Sequence, residues 1–293
     1  FLKKFAFATC FLGDGAALDE TARNLEAVVH IASGRHGRDA LDGLARRGTP
    51  AAVRALEWAN RRSGSNTMRR RCADALAEMA RWRGLSTPEL LDEALSDFGF
   101  DAKGELAFDL AGRGLTLKLG RDNAVEILDA EGHVLKTLPA ARKTDDAEAY
   151  AQAKKTFSTL KKALATAHTS QRKRLESYLA SERTWFANAW RERFLGHALM
   201  RTYARTLLWE GIDERGSSVA RFIVMESDLM NADLDAVTLD SSWRIRLLHP
   251  LGMGAKEVVQ WTEVFADNQL LPPFAQHARP TYARAASDTA LID

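Results

Sequence analysis

The spacing of apolar residues changes once along the chain, from a helical to an alternating pattern, at Gly99. Before this point, apolar residues recur every three or four positions in short segments that end at glycines such as Gly48 and Gly84. This spacing is typical of amphipathic helices, and Pro50 stands where a helix start is expected. The pattern predicts six short helices over residues 1–98.

These helices have two interpretations. Short helices joined by loops of a few residues are typical of stacked helix pairs of the HEAT or armadillo kind. No residue motif repeats at a fixed period, so an irregular helical bundle fits the pattern equally well. We therefore predict a helical-repeat-like region over residues 1–98, with both packings open.

After Gly99 the apolar residues alternate with polar ones, which indicates strands. Four alternating segments are separated by loops rich in Asp, Asn and Gly, which tolerate the backbone conformations of tight hairpins. They predict a four-stranded antiparallel meander, with strands around residues 106–110, 115–119, 125–128 and 134–138.

Helical spacing returns from Asp145 to about Trp209. One apolar stripe follows steps of three and four residues: Tyr150, Ala153, Phe157, Leu160, Leu164 and Ala167. Arg172 is expected to begin a second helix. Trp185, Trp190 and Trp209 have apolar neighbours at helical spacing, which favours packing in the core.

The last third mixes strands with one helix. Strands are predicted at residues 219–225 and 243–248, with a third at 237–239, and an amphipathic helix at 256–266. The fold class is therefore α+β and predominantly helical. We expect three regions: helical-repeat-like residues 1–98, a mixed α+β domain at 99–280, and a polar tail at 281–293.

Composition narrows the protein class. Apolar residues make up 46% and charged residues 27% of the 293 residues, which are globular values. No apolar stretch is long enough to cross a bilayer, so no membrane partner is predicted. The two cysteines, Cys10 and Cys72, exclude a disulfide scaffold, and without a credible signal peptide they favour the cytoplasm. The chain opens with Phe1 rather than Met, and we expect it to be part of a longer protein.

The near-neutral net charge of +2 hides a polarised chain. Residues 142–205 hold 14 Lys and Arg against six Asp and Glu, whereas residues 206–293 hold seven against 13. Seven cations in the basic segment form a candidate polyanion-binding surface: Lys154, Lys155, Lys161, Lys162, Arg172, Lys173 and Arg174. Two alternatives remain: the same face stays solvated, or it docks on the acidic last third.

No local catalytic motif is present. The chain lacks a P-loop, a dinucleotide fingerprint, a zinc-protease helix and a nucleophile elbow. His197 and His249 form a candidate polar site, because a histidine pair can shuttle protons or bind metal. A structural role is the favoured interpretation of both, because neither has a Cys, Asp or Glu at metal-ligand spacing. No metal and no cofactor are predicted.

Several short motifs together resemble a bacterial domain of unknown function found in the MolR-type proteins. They include Gly99-Phe100-Asp101, residues 194–200, Leu207-Leu208-Trp209, residues 247–251 and residues 273–279. The resemblance covers roughly residues 85–280. The family commonly has His-Pro-Leu where this chain has His197-Ala198-Leu199, and Gln where this chain has Pro272. Such proteins often carry a WGR module and helical repeats, but no biochemical activity comes with the resemblance.

Two classes of function follow. The favoured one is an interaction or scaffold module that uses the helical-repeat and basic helical surfaces to hold a protein partner. A nucleic-acid-associated regulator is a variant of it. The other class is an enzyme whose active site is completed by residues outside this chain; the missing catalytic motifs weigh against it.

Overall fold

A computed structural model describes residues 43–46, 48–120, 124–226 and 228–277. The chain divides into two compact units, residues 1–96 and 97–293. Helices and antiparallel sheets are both present, so the predicted α+β class is confirmed. Within the described ranges, no helix is both long and apolar enough to cross a membrane.

The described part of the first unit is helical. Its helices are α1 (Pro50–Arg62), α2 (Asn66–Trp82) and α3 (Thr87–Glu93). Each begins at a hydroxyl residue whose side chain accepts a backbone N–H, as N-caps do: Thr49, Ser65 and Ser86. The helices predicted before residue 43 lie outside the described residues, so the choice between helical repeats and a bundle stays a prediction.

A single apolar core joins the three helices. Leu56, Leu76 and Leu90, one from each helix, are almost completely buried in it. Cys72 lies in the same core, and burial raises the pKa of its thiol to about 11. The thiol therefore stays protonated at neutral pH and serves as a small apolar side chain.

The second unit opens with the predicted meander, which is confirmed. Its strands pair antiparallel in chain order: β1 (Glu105–Leu110), β2 (Arg113–Leu119), β3 (Val125–Leu128) and β4 (Val134–Leu135). Ala111 and Gly112 form the first turn with φ of 54° and 84°, the backbone that a two-residue hairpin needs. The last strand is shorter than predicted and does not reach Leu138.

One helix, α4 (Ala147–Ala180), follows the meander and runs for 34 residues. The prediction of a separate helix from Arg172 was wrong. The residues before it contain no Gly or Pro, and the Thr169 hydroxyl bonds back to the Ala165 carbonyl at 2.9 Å, so the helix continues. Phe157 of the predicted apolar stripe packs on Phe108 of β1, with ring centroids 6.0 Å apart.

A second antiparallel sheet completes the unit, with strand order β5-β9-β6-β7-β8. Its strands are β5 (Thr184–Phe186), β6 (Trp209–Ile212), β7 (Ser218–Met225), β8 (Asp228–Met230) and β9 (Arg244–Leu247). Between β5 and β6 lie α5 (Ala187–Trp190), a π-helical turn (Arg191–Leu195) and α6 (Ala198–Ala204). After β9 come a 3₁₀ turn (Pro250–Gly252) and α7 (Ala255–Asp267).

The region after α4 differs from the prediction in a few details. Residues 237–239 form no strand; Ala236 makes only an isolated bridge with Met230. β5 falls where helix was predicted, and β6 begins where that helical segment was expected to end; strands of three and four residues are too short to show a period of two. The strand predictions for β7 and β9 and the helix prediction for α7 are confirmed to within two residues.

Each face of the second sheet supports an apolar layer. One face carries a cluster of aromatic rings in mostly edge-to-face contacts: Trp185, Trp190, Phe194, Trp209 and Phe222. The predicted core positions of the three tryptophans are therefore confirmed, since none is more than 7% exposed. On the opposite face, residues flanking the strands pack against Trp261, Val264 and Phe265 of α7.

Candidate polyanion-binding surface on helix α4

Helix α4 is closed at both ends by local hydrogen bonds. The Asp146 carboxylate accepts the N–H groups of Glu148 and Ala149 at 2.8 and 3.0 Å. At the other end, Glu182 has φ of 50°, and the Arg183 N–H returns to the Tyr178 carbonyl at 3.0 Å, the pattern of a Schellman motif. These caps fix the length of α4 and therefore the register of its charged residues.

Six of the seven predicted cations lie on one exposed face of α4, which we call the basic ridge: Lys154, Lys155, Lys161, Lys162, Arg172 and Lys173. At about 100° per residue they fall into two rows. Lys154, Lys161 and Arg172 share one direction; the residue that follows each of them lies on the second row. The ridge runs for roughly 28 Å at about 1.5 Å per residue.

Arg174 does not belong to this surface. It is only 8% exposed, and its helical position points to the side that carries the apolar stripe. Its inclusion in the predicted polyanion site was therefore wrong. Three consecutive basic residues on a helix span about 200°, so they do not all face solvent when one side packs.

The basic ridge has no acidic counterpart in the described part of the chain. None of its six cations forms an ion pair with a carboxylate there, although other arginines of the same unit do. The Lys161 ammonium lies 5.7 Å from the centre of the Phe157 ring, a cation–π contact. The six positive charges are therefore held close together, and Glu176 is the one acidic side chain that projects between their rows in the described part of α4.

Small side chains separate the two rows along most of the ridge, and Glu176 projects between the rows at the C-terminal end, four residues after Arg172. Ala151, Ser158, Ala165 and Thr169 fall between them on the helical projection, and all four are exposed. The centre of the ridge is therefore shallow and the charged side chains rise on either side. A surface of this shape allows a partner to approach the helix backbone closely.

The two candidate histidines each cap a helical turn. His197 precedes α6 and its Nδ1 accepts the Met200 N–H at 3.4 Å; His249 precedes the 3₁₀ turn and its Nδ1 accepts the Leu251 N–H at 3.2 Å. A nitrogen that accepts a backbone N–H carries no proton and is not available as a proton donor. This geometry supports the structural interpretation of both residues.

Three of the motifs that resemble the bacterial domain meet at one buried glutamine. Gln276 is completely buried, and its Oε1 accepts the Leu208 N–H at 2.9 Å. Its Nε2 donates to the carbonyls of Leu208 and Leu248 at 2.7 and 3.1 Å. One side chain thus bonds to the backbone beside β6 and beside β9. The three motifs therefore have a structural role: they hold these two strands and the C-terminal segment together.

Gly196, in the motif at residues 194–200, is needed at its position for a steric reason. Its N–H bonds to the carbonyls of both Arg191 and Glu192, which makes the π-helical turn. A Cβ at this position would lie 2.5 Å from the Glu192 carbonyl oxygen, closer than atoms can approach. Only glycine fits this turn without a backbone shift.

A buried charge network was missed by sequence reasoning. The Glu210 side chain is 2% exposed and lies between two guanidinium groups, with Arg221 Nε at 3.3 Å and Arg246 Nε at 2.7 Å. Glu182 and Glu257 hold the outer sides of these arginines. Desolvation lowers the pKa of Arg221, but the two carboxylates outweigh it and raise that pKa above its usual value.

The signal for this network was weak. Glu210 is a single acidic residue among apolar neighbours, and the strand that carries it is only four residues long. If β6 had been recognised as a strand, an acidic residue in it and arginines in the two other predicted strands would have indicated a buried ion pair. The arrangement is a closed set of ion pairs that ties β6, β7 and β9 together.

Three potential metal ligands also come together at the β3–β4 turn. Ligand atoms of Asp129, Glu131 and His133 lie within 4.8 Å of one another. The Asp129 carboxylate accepts the N–H groups of the other two residues at 3.1 and 2.8 Å, and these bonds lower its pKa. The cluster is therefore explained by the closing of a turn.

Comparison with known proteins places the chain beside uncharacterised bacterial proteins. The family model "Domain of unknown function (DUF4132)" matches residues 132–291. The "Uncharacterized protein YehI" of Escherichia coli (strain K12) is 28% identical over 272 residues, or 90% of this chain. That alignment covers 22% of YehI, so the chain spans about a fifth of its relative's length. No solved structure matches.

Proposed function

The chain belongs to the DUF4132 family of proteins of unknown function, and we propose that it is an interaction module that binds an anionic partner through the basic ridge of α4. One observation carries the proposal: six exposed cations lie on one helix face with no carboxylate paired to them in the described residues. The adjacent Arg174, which is buried, takes no part.

The physical reason lies in the cost of keeping like charges together. Cations in two rows along a helix repel one another and hold counterions close to the surface. A partner with several negative charges replaces these counterions and releases them into solution, which favours binding. A face that only keeps the protein in solution gains nothing from such regular placement of charges.

The acidic part of the same chain is the competing partner. Several of its carboxylates are engaged elsewhere: Glu210 and Glu257 hold Arg221, and the Asp240 carboxylate accepts the Ser242 N–H at 2.8 Å. These contacts favour an external partner for the ridge. The resemblance to MolR-type proteins, with their WGR modules, supports a nucleic-acid-associated setting in the cytoplasm.

Heparin chromatography tests the proposal with a probe that carries dense negative charge on a flexible chain. The 293-residue chain should be retained on heparin at low salt and elute as salt rises. Replacement of Lys154, Lys155, Lys161 and Lys162 with Glu should abolish retention. A wild-type chain that passes through heparin at low salt would contradict the proposal.

A matched control separates the ridge from net charge. Lys103, Lys136, Lys143 and Lys256 are exposed lysines outside the ridge, and their replacement with Glu changes the charge equally. This variant should remain on heparin at low salt. Equal loss of retention in both variants would mean that overall charge, and not the ridge, is responsible.

A further inference from the structure

Resting on the proposed function, we infer that the partner of the basic ridge is the phosphate backbone of a nucleic-acid duplex, bound without reading its sequence. The inference comes from the arrangement of the charges in two rows with small residues between them. A flexible polyanion needs the charges alone. A stiff, double-stranded partner cannot bend to reach the charges, so it also needs the two-row arrangement with low side chains between the rows.

The two rows match a partner with two lines of phosphates. They are separated by about 100° on a helix roughly 10–12 Å across with its side chains, so their charged tips stand roughly 10 Å apart. The major groove of a DNA duplex is about 12 Å wide, admits an α-helix and is bordered by a phosphate line on each side. Cations on both rows then reach the phosphates of both strands.

The residues between the rows decide how close the duplex can come. Ala151, Ser158, Ala165 and Thr169 have short side chains and are exposed, so nothing large holds this length of the helix axis away from the groove. Glu176 lies beyond them, at the C-terminal end of the ridge. None of them is an Asn, Gln or Arg, the side chains that bind base edges with two hydrogen bonds. Contacts to phosphates therefore dominate and binding does not depend on sequence.

Two other anionic partners fit less well. Single strands are held by aromatic side chains on which bases stack, and the ridge carries none; Phe157 lies on the packed side of the helix, against Phe108. An anionic membrane holds a helix by large apolar side chains inserted below the headgroups, and the face between the rows carries no large apolar side chain.

Fluorescence anisotropy with the full chain tests the inference. The probe is a labelled DNA duplex of about 20 base pairs of mixed sequence, which exceeds the length of the ridge at about 3.4 Å per pair. The duplex should bind more tightly than a single strand of the same length. The logarithm of the binding constant should fall with the logarithm of salt at a slope of up to about −5 for six phosphates neutralised.

A variant with large side chains between the two rows distinguishes a stiff duplex from a flexible polyanion. Replacement of Ser158 and Ala165 with Trp keeps every charge but fills the centre of the ridge. Duplex binding should weaken by about tenfold or more, and the salt slope should shrink by about one for each phosphate that the cations no longer reach. Retention on heparin should not change, because a flexible chain can pass around the bulk.

A control variant places the same bulk outside the rows. Gln152 and Thr156 are exposed on α4 but lie beyond the second row, and their replacement with Trp should leave duplex binding unchanged. Circular dichroism checks that each variant keeps its helix. Wild-type binding by the Ser158 and Ala165 variant would overturn the inference.

The remaining outcomes are also decisive. Tighter binding to the single strand than to the duplex would overturn the inference, as would capture by phosphatidylserine vesicles without duplex binding. Heparin retention that depends on the ridge, without duplex binding, would leave the proposed function standing and reject the duplex. Loss of both would reject the proposed function itself.

Discussion

Single residues explain why several short motifs of this chain have the sequence they have. Gln276 offers one acceptor and two donor hydrogens to backbone groups of Leu208 and Leu248, and each is used. A buried backbone group without a partner costs about as much as a missing hydrogen bond. The side chain thus stabilises the fold where β6 and β9 leave the sheet.

Replacement of Gln276 with Ala should reduce the free energy of unfolding by about 3 kcal/mol. The change leaves backbone groups of two residues buried and unpaired, at about 1–3 kcal/mol each. Urea denaturation followed by tryptophan fluorescence measures the loss. The exposed Gln152→Ala variant serves as a control and should stay close to wild type; a loss below about 0.5 kcal/mol for Gln276→Ala would contradict this account.

The neighbouring His277 should make stability depend on pH. Its ring packs on Phe265 with centroids 4.5 Å apart, and desolvation by burial lowers its pKa below the usual value. The unfolded chain therefore binds a proton more readily than the folded chain as pH falls below about 6.5. Stability is present above that pH and is lost as the pH drops toward the folded pKa.

Thermal melts from about pH 7 to about pH 5 measure this dependence. The melting temperature of wild type should fall over the range, and the fall should be smaller for His277→Gln, which cannot be protonated. Replacement of the exposed His133 with Gln provides the control and should keep the wild-type slope. Parallel curves for wild type and His277→Gln would show that other groups cause the dependence.

At the scale of elements, the π-helical turn before α6 depends on one glycine. Gly196→Ala brings a Cβ against the Glu192 carbonyl oxygen, and the backbone must shift to relieve the contact. We expect a loss of about 1–3 kcal/mol, the usual cost of overpacking. Chemical denaturation of Gly196→Ala beside Gly216→Ser checks the value.

Gly216 is a useful comparison because its strain is of another kind. It has φ of 79° but open space around the position of a Cβ, so its substitution strains only a turn. The steric account of Gly196 predicts that Gly196→Ala loses the aromatic near-ultraviolet dichroism of the adjoining cluster, whereas the turn variant keeps it. Native dichroism in Gly196→Ala would contradict that account.

Elements with clear periodicity could be predicted from the sequence, and short ones could not. The meander was predictable because four alternating segments are separated by Gly and Asp turns. The length of α4 was not, since Arg172-Lys173-Arg174 looked like the start of a new helix. β5 is held by pairing with β9 across a long sequence separation, which a local pattern cannot show.

The candidate site was also predictable where local periodicity places its residues, and not where tertiary packing does. Lysine pairs seven residues apart must share a helix face, and this is how the structure places them. The burial of Arg174 depends on which side of α4 packs, and this depends on the tertiary structure. The Glu210 network needs three strands to come together, so its members have no local signature.

At the scale of the whole molecule, the uneven distribution of charge between the basic segment and the acidic last third should have little influence on the melting temperature. The four ridge lysines have no carboxylate partner in the described residues, so their replacement with Glu removes no ion pair. The melting temperature at low salt should remain within about 2 °C of wild type, since surface charges contribute little. Differential scanning calorimetry at low and high salt measures it.

The outcome distinguishes an external partner from an internal one. A fall of several degrees at low salt that is reversed at high salt would mean that the ridge is held by acidic residues of its own chain. The variant in which Lys103, Lys136, Lys143 and Lys256 are replaced shows how much of any change comes from net charge alone.

The position of Gln276 also has a consequence for the order of synthesis. It follows Leu208 by 68 residues, and a ribosome adds roughly 5–20 residues per second, so roughly 3–14 s separate the two on a nascent chain. During that interval the backbone at Leu208 is made but lacks the side chain that completes it. The hydrogen bonds of Gln276 therefore form after every strand of the second sheet has been made, and a chain stalled before residue 276 leaves the Leu208 N–H without this partner.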